Sequence, residues 1–162
     1  MRSARPSVLV LSGPNLALLG TRQPEIYGRE TLEHHVDLAR RRAAALGLSL
    51  EHRQSDHEGD LVRWVGDARG VVDALIVNAG ALTHYSWALH DALSAFAGPV
   101  VEVHLSNPAG REPFRHHSVV AAASSGTIAG FGGLGYELAV EAIARLLGVD
   151  GSEATEAAGG AR

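Results

Sequence analysis

The apolar residues of this chain repeatedly change their spacing, and that alternation restricts the fold more than any other feature of the sequence. An unbroken run at 7–12, "SVLVLS", is followed by Leu32, Val36, Ala39, Ala43 and Leu46 at helical spacing. "LSLEHRQ" (48–54) begins with strand alternation, and Leu61, Val62, Val65 and Ala68 restore a helical stripe. The pattern repeats with "VVDALIVN" (71–78) and a helix over about 85–96, then with "PVVEVHL" (99–105). "GTIAGF" (126–131) reads as a fifth strand and 136–147 as a last helix. A continuous apolar run buries both faces of a strand, whereas a 3.6-residue period buries one face of a helix. Strands of the first kind, each followed by a helix, imply an α/β domain whose parallel sheet is covered on both sides.

Five such strands in 162 residues suit one domain with the flavodoxin-like strand order 2-1-3-4-5, rather than the longer dinucleotide-binding order. Residues 1–147 are expected to form that domain. The stretch "GVDGSEATEAAGGAR" (148–162) is small, polar and aperiodic, and is expected to be disordered. With 46% hydrophobic residues, 20% charged ones and a net charge of −4, nothing draws the chain toward nucleic acid or a membrane surface. No apolar run approaches a membrane span and "MRSARPSVLVLSGPN" lacks a signal peptide's long core, so a cytoplasmic location is the default expectation.

Two absences narrow the chemistry. The chain has no cysteine, and all 14 basic residues are arginines. Disulfides, thiolate nucleophiles, a lysine Schiff base and a P-loop lysine are therefore excluded. Any chemistry must come from His, Tyr, Asp, Glu, Ser, Thr, Asn and Arg.

In a sheet of this type ligands bind beyond the carboxyl ends of the strands. Four segments lie there: "SGPN" with the loop "GTRQPEIYG" (20–28), "QSDHEG", "NAGALTHYS" and "HLSNPAGREPFRHHS". Polar and ring-bearing residues concentrate in them. "GFGGLG" (130–135) fits G-x-G-x-x-G, but no acidic residue at the end of a following strand accompanies it. Close strand–helix packing explains it better than a dinucleotide. Nine histidines include the adjacent pairs His34–His35 and His116–His117, without metal-ligand spacing, and His34 and His35 read as helix-surface residues. Neither a metal nor a cofactor is expected.

His104 closes a Val-rich strand on the same face as Glu102, where a carboxylate can fix the imidazole tautomer and favour its proton-donating form. A histidine held for structure alone is the competing reading. Tyr27 shares its short loop with Arg22, and a phenol acts as a base only when a cation draws its pKa down from about 10. A core or lid aromatic is the alternative there. Gly20, Pro24 and Gly28 punctuate the loop as a hinged lid requires. Arg111 and Arg115 form a fork for a carboxylate or hydroxyls if that segment is helical; otherwise they are solvated arginines near Glu112. Asn78 offers donor and acceptor at a strand end, and Ser106 and Asn107 follow His104 with backbone amides for an anion. Asp91, in mid-helix, has no partner visible in the sequence.

Together, "GPNLALLGTRQPEIYG", "NAGALTHYSWALHDAL" and "VEVHLSNPAGREPFRHHS" resemble the type II 3-dehydroquinate dehydratases of the shikimate and quinate pathways, in order and spacing, from about Val8 to Leu147. The resemblance implies a flavodoxin-like subunit, usually assembled as a homododecamer (a tetramer of trimers). It implies a cofactor-free anti elimination of water from 3-dehydroquinate, a small anionic substrate, giving 3-dehydroshikimate through an enolate. Tyr27 is then the base, Arg22 holds it as tyrosinate, and Asn15 stabilises the enolate through a water molecule. His104, steered by Glu102, protonates the departing hydroxyl. By the same resemblance Asn78, His84, Ser106, Arg115 and the backbone of Leu105 grip the hydroxyls and carboxylate, Arg111 is an active-site arginine, and Asp91 reaches a neighbouring subunit's site.

The chain departs from the family pattern at Ala17, Gln23, Tyr85, Trp87, His90 and Gly110, none of which carries chemistry assigned above. Gln23 bears on lid contacts, and Tyr85, Trp87 and His90 on a subunit interface. Two further readings stand beside this one. The first is a related dehydratase of another cyclic hydroxy-keto acid; the second is a non-catalytic carboxylate-binding module on the same fold.

Overall fold

The computed structural model describes residues 5–149, so the expected disorder of 148–162 falls largely outside the described residues. Five strands form one parallel sheet: β1 (Ser7–Ser12), β2 (Ser49–Gln54), β3 (Ala74–Asn78), β4 (Val100–His104) and β5 (Gly126–Ala129). Their order is β2-β1-β3-β4-β5, the flavodoxin-like order. A single helical turn, α1 (Pro24–Tyr27), precedes four covering helices, α2 (Leu32–Ala45), α3 (Glu58–Ala68), α4 (Trp87–Ser94) and α5 (Leu134–Leu146).

Strand parity decides which layer each side chain meets, because successive residues point to opposite faces. Val8, Val10, Ile76, Val101 and Val103 pack with Val36, Ala39, Val140 and Ile143 of α2 and α5. Leu9, Leu11, Leu75, Val77 and Val100 pack with Leu61, Val65, Leu89 and Leu93 of α3 and α4. Both faces of β1, β3 and β4 are thus closed to water. At roughly 1.5–3 kcal/mol for each fully buried aliphatic side chain, these two layers dominate the folding energy. The edge strand β2 buries only alternate residues.

The structure departs from the sequence reading at some boundaries. The amides of Val71 and Val72 both turn back to the Ala68 carbonyl, so these residues close α3, and β3 starts only at Ala74. β5 stops at Ala129, where Gly130 takes φ +92° and donates its N–H to the His104 carbonyl. His34 is exposed, but His35 is buried at 4% exposure, which corrects its reading as a surface residue. Neighbours on a helix point about 100° apart, so only one of the pair can face the core. The His35 ring stacks on Tyr136 with centroids 6.4 Å apart. Gly133 makes that possible, since a Cβ there would lie 1.8 Å from His35 Nδ1. The glycine-rich segment is therefore a packing device between α2 and α5. Gly133→Ala should lower stability by about 1–3 kcal/mol through overpacking, read as a lower urea midpoint with an unchanged far-ultraviolet circular dichroism spectrum.

Candidate active site

β1 and β3 are neighbours in the sheet, and the turns leaving them are pressed together. Gly13 N–H donates to the Asn78 carbonyl at 2.8 Å, and a Cβ on Gly13 would lie 2.5 Å from the Ala79 oxygen. The end of β2 braces this junction: Gln54 Nε2 donates to the Gly13 carbonyl at 3.2 Å, and Asp56 Oδ1 accepts Asn15 N–H at 2.8 Å. Asn15 adopts φ +66°, a left-handed conformation that asparagine tolerates better than most residues. A cavity opens above the junction. Asn15, Arg22, Tyr27, Asn78, His84, His104, Leu105, Ser106, Arg111 and Arg115 all line it. Glu102 lies behind His104, while Asp91 is exposed on α4, outside the cavity lining and without a side-chain partner among the described residues.

His104 Nε2 donates to Glu102 Oε1 at 2.6 Å. That carboxylate is fully buried, yet it is well satisfied: Ser118 Oγ donates to Oε1 at 2.6 Å and Thr127 Oγ1 to Oε2 at 2.9 Å. Burial alone would raise the Glu102 pKa, but the hydrogen bonds from His104, Ser118 and Thr127 outweigh it and hold the carboxyl below its ordinary 4.5. With Nε2 committed to the carboxylate, Nδ1 is the nitrogen His104 has left for a ligand. Ser118 and Thr127 carry no sequence signal for this role. They are ordinary small polar residues, 16 and 25 positions from Glu102.

Tyr27 ends α1, and its hydroxyl accepts a hydrogen bond from Arg111 Nη1 at 2.8 Å. The same guanidinium stands 5.3 Å from the centre of the Tyr27 ring and reaches Ser106 Oγ at 3.2 Å. Arg22, the cation nearest in sequence, is exposed on the cavity wall and makes no side-chain hydrogen bond among the described residues. The cation placed on the phenol is thus one from 84 residues away. Arg111 and Arg115 do share the cavity, although no α-helix joins them; Arg111 is extended at φ −113° before the short turn Pro113–His116. Arg115 donates to Glu112 at 2.7 Å and covers the Phe114 ring.

His84 Nδ1 donates to the His117 carbonyl at 2.8 Å, which leaves Nε2 for a ligand. Leu105 is buried and its carbonyl accepts Gly132 N–H at 2.9 Å. Three arginines around one cavity suit an anion, and an imidazole and a phenol lining the same cavity suit proton transfer. Among the described residues, no group of three or more His, Asp or Glu is arranged to hold a metal ion, and no helix is long and apolar enough to cross a membrane.

The family model described as dehydroquinase class II matches residues 6–144. The chain belongs to this family. Like this chain in sequence is the 3-dehydroquinate dehydratase of Hyphomonas neptunium, 58% identical over 142 residues, which span 87% of this chain and 95% of that protein. The 3-dehydroquinate dehydratase of a Caulobacter species is 53% identical over 141 residues, 87% of this chain and 96% of that one. In structure, the type II dehydroquinase of Propionibacterium acnes superposes with a TM-score of 0.84 at 44% identity, covering 88% of this chain and 98% of that chain.

For this class II dehydroquinase the buried carboxylate makes a pH-dependent contribution to folding. Because the folded pKa of Glu102 is depressed, its stabilisation is present above the ordinary value of 4.5 and is lost as pH falls through the lower folded value. Glu102→Gln should therefore be less stable than the parent at neutral pH, and its urea midpoint should fall less steeply between about pH 5 and pH 3. Parallel curves for the two proteins would contradict this assignment.

Proposed function

We propose that this enzyme is a hydro-lyase of the shikimate pathway that converts 3-dehydroquinate to 3-dehydroshikimate by anti elimination through an enolate. One observation carries the reading: a tyrosine hydroxyl held by a guanidinium and an imidazole backed by a buried carboxylate line the same cavity. Tyr27, as tyrosinate, removes the proton alpha to the ketone. Arg111 stabilises the phenolate through a charge-assisted hydrogen bond, and Arg22 closes over the ligand with the loop 20–28. The electron pair of the broken C–H bond moves onto the ketone oxygen, where Asn15 supports the enolate through a water molecule. As the enolate collapses, the C–O bond breaks and His104 gives its proton to the departing hydroxyl, which leaves as water. Glu102 stabilises the protonated imidazole before that step. No lysine exists to offer an iminium route.

Asn78, His84, Ser106, Arg115 and the Leu105 backbone hold the hydroxyls and carboxylate of the substrate. Asp91 reaches the site of a neighbouring subunit in a homododecamer, which accounts for its lack of a side-chain partner among the described residues. The enzyme works in the cytoplasm and needs neither metal nor cofactor. The readings as a dehydratase of another acid or as a binding module gain no support, since relatives covered over 95% and 96% of their length are 3-dehydroquinate dehydratases.

Mixing the protein with 3-dehydroquinate should produce the ultraviolet absorbance of the conjugated enone. Tyr27→Phe should lower kcat by about 10²–10⁴, the usual contribution of a general base, with KM little changed. Substrate binding without enone formation by the parent protein would sink the proposal. Light scattering should return the mass of an assembly of twelve 17.0 kDa chains, and a monomer in solution would remove the role given to Asp91.

A further inference from the structure

Tyr136 takes part in none of the chemistry above, yet it lies directly under the site. Its side chain is fully buried, and Asn78 Nδ2 donates to its hydroxyl at 3.2 Å. The same hydroxyl is 3.4 Å from Ser12 Oγ, which is 2.9 Å from His52 Nε2. Ser12 and Asn78 are cross-strand partners of β1 and β3, and His52 lies one strand further out on β2. The other end of the Asn78 amide is also committed, because Oδ1 accepts Gly80 N–H at 3.3 Å.

Donor counting gives this chain a direction. A backbone N–H can only donate, so Gly80 fixes which end of the amide is oxygen, and the NH₂ group must face Tyr136. The phenolic proton then cannot return to Asn78, and Ser12 Oγ is its acceptor. Ser12 in turn donates to His52 Nε2, which must be unprotonated. In the reverse direction the phenol would receive two protons while its own stayed unpartnered in a fully buried position, which is strongly disfavoured. Burial, reinforced by the charge of Arg40, lowers the His52 pKa and so favours the neutral imidazole, whose Nδ1–H tautomer is the one that accepts from Ser12.

We propose that Tyr136, backed by Ser12 and His52, is a positioning residue that holds the NH₂ end of Asn78 in the orientation set by the Gly80 N–H, so that the amide presents an N–H donor to the substrate. Asn78 is 4% exposed and lines the cavity, and one Nδ2 proton remains after Tyr136 is served. A hydroxyl or keto oxygen satisfies that proton; a carbon or an ammonium at the same place does not. This inference rests on the function proposed above, because it takes the cavity to be the substrate site.

The test is a double-mutant cycle over the parent, Tyr136→Phe, Asn78→Ala and the double variant. It is read twice, as kcat/KM for 3-dehydroquinate and as Kd for quinate, the corresponding alcohol. Tyr136→Phe keeps the ring and removes only the hydroxyl. It should lower kcat/KM and quinate affinity by about tenfold, and that factor should shrink to about one when Asn78 is already alanine. An equal loss in both backgrounds, or no loss in the first, overturns the inference, because Tyr136 would then act without Asn78. If Tyr136→Phe does not fold, Ser12→Ala enters the same cycle. A loss there that disappears in the Asn78→Ala background supports the chain, and a loss that persists overturns it. A parent protein without turnover would strike at the proposed reaction alone, while the coupling in quinate affinity would still decide this inference.

Discussion

A parallel sheet covered on both faces has no room for unsatisfied polar side chains along its strands, so they collect where the strands end. In this chain the carboxyl edge of β1, β3 and β4 is that place, and the pressed turns at Gly13 and Ala79 bring its parts together. A polar group set back from the edge survives only with every hydrogen bond supplied, because desolvation of a charge is otherwise prohibitive. Glu102 meets that condition with three donors, His104, Ser118 and Thr127, drawn from the strand itself, a loop and the adjacent strand. The carboxylate that steers the imidazole is therefore also a structural commitment of β4 and β5.

Two separate polar systems reach the edge, one on each side of the sheet. Glu102 and His104 share the parity of Val100 and lie on the side of α3 and α4. Ser12 and Asn78 share the parity of Val10 and Ile76, and lie with Tyr136 on the side of α2 and α5. The sheet insulates the two systems from each other, while the cavity above its edge exposes both to one ligand. The His104 imidazole and the Asn78 amide are thus held without competing for the same hydrogen bonds. The loop 20–28 supplies the third part, and it arrives from outside the sheet altogether. It contributes a phenol whose cation comes from the segment after β4.

Much of this was legible in the sequence because it depends on local spacing. Apolar runs and the 3.6-residue period located every strand and every covering helix, and the rule that ligands sit at carboxyl ends pointed to four segments, three of which line the cavity while 54–59 braces the junction below it. Boundaries moved where hydrogen bonds outside the apolar pattern decided them, as with the Ala68 carbonyl capturing Val71 and Val72. The surface reading of His35 fails because a helical stripe of apolar residues does not reveal that Gly133, far along the chain, leaves room for an imidazole.

Partner choice across the chain is what periodicity does not carry. Sequence proximity put Arg22 beside Tyr27, whereas the fold brings Arg111 to the phenol and leaves Arg22 on the cavity wall. Nothing in their neighbourhoods marks Ser118 and Thr127 as partners of a buried carboxylate, or Tyr136 as the acceptor for Asn78. The amino-acid sequence by itself determined the layers, the edge where chemistry gathers, and the residue types that chemistry must use. Only the tertiary structure decided which donor meets which acceptor, because those pairings are set by strand register and helix packing between positions far apart in the chain.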